Sequence, residues 1–92
     1  MTFEIELSDE AKLDLEEARG YYGQVSTQLL NKFDVYLIET VERLKTNPEN
    51  FQQRYRNIKI VFTKTFPYGI HYLVESQTVY IQRILHQKQF YG

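Results

Sequence analysis

"SDEAKLDLEEARGYYG", Ser8 to Gly23, decides the fold. Ala11, Leu15, Ala18 and Tyr22 recur at intervals of four, three and four residues, the spacing of one helix face. Ser8 can cap the first free amides, and Asp9 and Glu10 fall in the first turn, where the helix dipole favours negative charge. Gly23 is a natural stop. The preceding "TFEIEL", Thr2 to Leu7, has a different period: Phe3, Ile5 and Leu7 alternate with Thr2, Glu4 and Glu6, as in a half-buried strand.

Downstream, Ser26 can cap a second helix whose stripe is Leu30, Phe33, Leu37, Val41 and Leu44, with Glu39 and Arg43 as an outer i,i+4 pair. Asn47-Pro48 ends it, because the residue before proline avoids the α region. The short link from Gly23 to Val25 makes the two helices an antiparallel hairpin. "NPENFQQRY" reads as an irregular connector. "NIKIVF", "IHYLVE" and "TVYIQRILH" then read as three strands, joined by "FPYG" turn chemistry and by Ser76-Gln77, in an antiparallel meander. The expected architecture is a single α+β domain over residues 1–92, in the order β-α-α-β-β-β. The helix hairpin covers one face of a small antiparallel sheet, and the other face stays open.

The 92 residues suit one domain, and the absence of cysteine excludes disulfides and thiolate chemistry. No stretch reaches the length of about 20 apolar residues that spans a bilayer, and residues 1–7 lack signal-peptide character, so a cytoplasmic protein is expected. Residues 1–50 carry 5 Lys/Arg and 11 Asp/Glu, a balance of −6; residues 51–92 carry 6 Lys/Arg and Glu75, a balance of +5. This split fits either a face for an anionic partner or acidic helices pairing with basic strands. The densest basic-aromatic cluster is "QQRYRNIK", with Arg54, Tyr55, Arg56 and Lys59. It could contact RNA, pair with acidic side chains of a partner, or tie the connector to Glu39 or Glu42.

"SDEAKLDLEEARGYY", "NPENFQQRYRNIKIVFTKTFPYGIHYLV" and "VYIQRILH" together resemble the RelE/ParE superfamily of bacterial toxins, the toxin halves of type II toxin–antitoxin modules, from Ser8 to His86. The resemblance implies a helix hairpin on an antiparallel sheet and a cognate antitoxin whose C-terminal segment wraps the toxin. It also implies one of two targets. The RelE branch cuts messenger RNA in the ribosome; the ParE branch is associated with inhibition of DNA gyrase and lacks the nuclease residues.

A metal-free ribonuclease needs general acid–base groups and cations around the phosphate. By resemblance, His86, Lys88, Tyr91 and Arg56 are the catalytic candidates, while Arg54, Arg56, Lys59 and Arg83 are candidates for partner binding. No metal or cofactor is implied. On the last strand, His86 shares a side with Tyr80, Gln82 and Ile84. Arg83 shares the other side with Val79, Ile81 and Leu85, which the resemblance makes the core side; Arg83 there needs a carboxylate or carbonyl partner, or snorkels at the sheet edge. The tail "HQKQFYG" departs from the nuclease pattern, since Lys88 stands among glutamines and Tyr91 comes at the extreme end. The pI of 6.1 also suits a ribosome-docking nuclease poorly. The expectation is therefore a ParE-like inhibitor of gyrase or replication, with a RelE-like messenger RNA endoribonuclease as the alternative.

Overall fold

The computed structural model describes residues 2–51 and 53–88. The chain runs β1 (Glu4–Leu7), α1 (Asp9–Val25), α2 (Thr27–Thr46), a single 3-10 turn (Pro48–Asn50), β2 (Gln53–Tyr55), β3 (Ile58–Phe62), β4 (Tyr68–Glu75) and β5 (Thr78–His86). The sheet order is β1-β5-β4-β3-β2. The α+β class, the helix hairpin and the element order follow the sequence reading, with two corrections. A short strand, β2, forms inside the segment read as an irregular connector. The sheet is mixed rather than antiparallel, because β1 lies parallel to β5, with Glu4 beside Thr78 and Leu7 beside Ile81. Alternation marks a strand's faces but not its direction, so the pattern of β1 suits either pairing.

The Ser8 hydroxyl accepts from the Ala11 amide at 3.0 Å and donates to the Gln82 carbonyl at 2.7 Å, so the cap of α1 is also tied to β5. Helix α1 continues through Gly23 to Val25 instead of stopping at the glycine. The interruption comes from Ser26, whose extended backbone places it at both helix ends: its amide donates to the Tyr22 carbonyl and its hydroxyl accepts from Leu29. The link is thus one residue, and Arg19 clamps the hairpin through two 2.9 Å hydrogen bonds to Asp34.

The helices bury Ala11, Ala18, Tyr22, Phe33, Leu37 and Leu44 against Val61, Tyr68, Ile70, Tyr72, Val79, Ile81 and Ile84 of the sheet. Phe66 completes an aromatic cluster with Tyr22, Phe33 and Tyr68, at centroid distances of 5.0 to 6.2 Å. Phe66 reaches it from a tight loop in which Thr65, a β-branched residue, is held at φ 69°. The Glu39–Arg43 pair read from spacing does not form. Glu39 meets Lys64 at 3.3 Å, and Arg43 lies over the Phe51 ring.

Candidate functional site

β5 carries the decisive irregularity. Its register with β4 pairs Tyr72 with Ile81 but His71 with Arg83, so Gln82 is an extra residue in a β-bulge. One inserted residue reverses the faces of everything beyond it. Ile84 and His86 therefore lie on the helix side, opposite the buried Ile70 and Tyr68, while Arg83 lies opposite His71 on the other side. This corrects the sequence reading, which placed His86 on the open side and Arg83 with the core. The two residues are still on opposite faces.

On the helix side, His86 borders a cavity of about 450 Å³ between α1 and the end of β5, with Asp14, Glu17, Tyr21, Tyr68 and Lys88 also in its walls. The His86 ring stands edge-on to Tyr68 at 5.3 Å, and its Nδ1 accepts from the Lys88 amide at 3.0 Å. Burial, with Tyr22 close by, pushes the Tyr68 phenol up to about 12. Asp14 is the organising carboxylate. It accepts from Arg83 at 2.8 and 3.1 Å and from the Ile84 amide at 3.0 Å, just past the end of β1. Burial pushes its carboxyl up, but the hydrogen bonds from Arg83 and Ile84 and the Arg83 charge outweigh that and leave it below the ordinary carboxylate range. Arg83 thus has a carboxylate partner although it lies off the core side on which the sequence reading based that need.

On the open side, His71 is only 1% exposed, although among the described residues no helix covers that face. The Tyr55 hydroxyl reaches its Nδ1 at 2.8 Å from two strands away. Burial, then the nearby Arg83 charge, lowers the His71 imidazole below its usual value, so it is neutral at physiological pH. The sequence reading treated His71 as structural and did not find its link to Tyr55. The only available signal was the tyrosine inside the basic cluster, and its reach depends on β2 being a strand.

The remaining cations disperse. Lys59 sits beside Tyr72 on the helix side and donates to the Phe51 carbonyl at 3.1 Å. Arg54 lies over the Phe62 ring at 5.9 Å, at the edge strand β2. Arg56 occupies the β2–β3 turn with φ 48°. Tyr91 lies outside the described residues. Of the catalytic candidates, the fold brings together His86 and Lys88 and sets Arg56 at the opposite edge of the sheet. Among the described residues no group of three or more His, Asp or Glu side chains is arranged to hold a metal ion.

The family described as ParE toxin of type II toxin–antitoxin system, parDE, matches residues 5–91. Among solved structures the chain is similar to the chromosomal ParDE toxin–antitoxin system from P. aeruginosa, with a TM-score of 0.77 and 16% identity, covering 91% of this chain and 95% of that one. No curated protein sequence matches.

Proposed function

We propose that this chain, which belongs to the ParE toxin family of type II toxin–antitoxin systems, acts by binding and inhibiting DNA gyrase or another component of replication. In this reading a cognate antitoxin neutralises it, with a C-terminal segment docked along the helix hairpin and the sheet edge. The observation that carries the reading is the dispersal of the cations and titratable groups. Phosphoryl-transfer catalysis needs an acid–base pair and a cation around one reacting atom. Here Arg83 is engaged by Asp14, Lys59 by the Phe51 carbonyl, and the His86–Lys88 pair faces the helices. A binding inhibitor needs no such convergence.

Docking on the hairpin is supported by its exposed apolar residues. Leu13, Tyr21, Val25, Val35 and Ile38 are 59–64% exposed, and all lie on α1 or α2. Such residues are natural anchors for an amphipathic partner segment. No described helix is long and apolar enough to cross a membrane.

The alternative, a RelE-like ribosome-dependent endoribonuclease, is favoured by one observation. Tyr55, His71 and Arg83 lie together on the open face, Tyr55 and Arg83 exposed and His71 buried beneath the Tyr55 hydroxyl. Induced expression in a bacterial host separates the two readings. Gyrase inhibition gives filamentation and a DNA-damage response, and the double variant His86→Ala/Lys88→Ala stays toxic. Prompt translation arrest with cleaved messages, abolished by His71→Ala or by the double variant, would establish the nuclease instead.

A further inference from the structure

We infer that this chain forms a twofold dimer through the open face of its sheet. Strand register places Ile58, Ile60, Phe62, Leu73, Tyr80 and Leu85 on the side away from the helices. Four of them, Phe62, Leu73, Tyr80 and Leu85, are only half-buried, so the face presents an apolar centre to solvent, beside Arg83, whose charge is paired with Asp14 at 2.8 Å. Its two edges carry opposite charge. Glu4 and Glu6, both exposed, flank the centre on β1; Arg54 and Arg56, both exposed, flank it on β2 and its turn. Glu6 is level with Tyr80, which is level with Leu73, so one row crosses the sheet from carboxylate through apolar side chains towards the arginine edge.

That polarity selects the occupant. A nucleic acid laid across the face would meet carboxylates at one edge. A second copy fits, and in only one of the two simple orientations. A twofold axis perpendicular to the strands would set Glu4 and Glu6 against their own counterparts. An axis along β4 reverses the edge order. It sets β1 of each copy against β2 of the other, places β5 over β3, and stacks Leu73 near its own image. Two sheets then pack at about 10 Å, as in a β-sandwich. Glu75, exposed at the end of β4, faces its image only at the rim, where water solvates both. A net charge of −1 puts little repulsion between copies. Strands of 4, 3, 5, 8 and 9 residues, at about 3.3 Å per residue and about 4.8 Å spacing, give a face of about 460 Å², so the pair buries about 900 Å², the scale of weak, transient association. The dimer is thus weak and reversible.

The proposal does not depend on which target the toxin inhibits. Sedimentation equilibrium on the purified chain tests it across concentration and salt. Wild type is expected to pass from monomer to dimer, with association weakened by salt. Glu4→Lys/Glu6→Lys and Arg54→Glu/Arg56→Glu, each checked for folding by circular dichroism, are expected to raise the dissociation midpoint at least tenfold. An equimolar mixture of the two variants is expected to recover a heterodimer, because each reversed edge then meets its complement. A wild type that stays monomeric to about 1 mM, below any useful affinity for this area, would overturn the proposal. So would two folded variants that fail to associate when mixed. A monomeric chain whose β3–β5 amides gain hydrogen-exchange protection only on adding antitoxin or gyrase would also overturn it, by assigning the face to another protein.

Discussion

On its helix side the sheet meets Phe33, Leu44 and Ala11, all at 0% exposure, and a four-ring aromatic cluster. On its other side, among the described residues, Ile60 and His71 have no helix over them, and the Tyr55 hydroxyl reaches His71 from β2. One face is closed by a second layer and holds the fold together; the other, among the described residues, has no such layer and keeps charge at both edges. Burial alone does not distinguish them, since His71 is as inaccessible as Ile81. The covering layer does. A face without one can release its shielding locally and meet another surface at small cost to the fold.

The difference can be tested by substitution. Phe33→Ala should cost about 3–5 kcal/mol in chemical denaturation, through a cavity between both layers, whereas Leu73→Ala on the open face should cost less than half as much. Equal losses would mean that both faces are core. Gly69→Ala should cost about 1–3 kcal/mol by overpacking, because a β-carbon there would approach Ile60 Cγ2 to 3.0 Å and Phe62 to 3.2 Å. A smaller loss would show that the open face yields readily.

Asp14→Asn should lose about 1–2 kcal/mol at pH 7, as expected for hydrogen bonds to a charged acceptor. The sign of its pH dependence follows from the lowered folded value. The stabilisation is complete above the ordinary carboxylate range and is lost as pH falls through the folded value. Wild type and variant should therefore converge in acid, and a gap unchanged down to about pH 2 would contradict the Asp14 assignment. The smallest effect is Tyr55→Phe, about 0.5–1.5 kcal/mol for one hydrogen bond, with exchange protection lost in β2 and β3 but retained in α1.

His71 gives a second pH signature. Because burial lowers its folded value, the unfolded chain takes up the proton first, and stability falls as pH drops below about 6.5. A stability profile of His71→Gln that matched wild type between pH 7 and 5 would remove His71 from the account.

The sequence carried the strand-helix-helix opening because cap residues and period agree there: Ser8 and Ser26 both act as N-caps in the fold. It missed β2, whose three residues are too few to show alternation. It also missed the bulge, since nothing in "YIQRIL" distinguishes Gln82 as an inserted residue, yet that residue decides which face His86 occupies. The chemical types at the candidate site were legible; their dispersal was not. Dispersal depends on long-range partners such as Asp14 for Arg83, 69 residues apart, and the Phe51 carbonyl for Lys59.

The proposed mode of action is occupancy of a target without turnover of a substrate. Titrating the purified chain into a gyrase supercoiling reaction, with message integrity followed in a parallel translation reaction, tests that claim most directly. Supercoiling should fall in proportion to the toxin-to-gyrase ratio and level off near equivalence, with messages intact. Unaffected supercoiling together with messages cut by toxin far below ribosome concentration would contradict it.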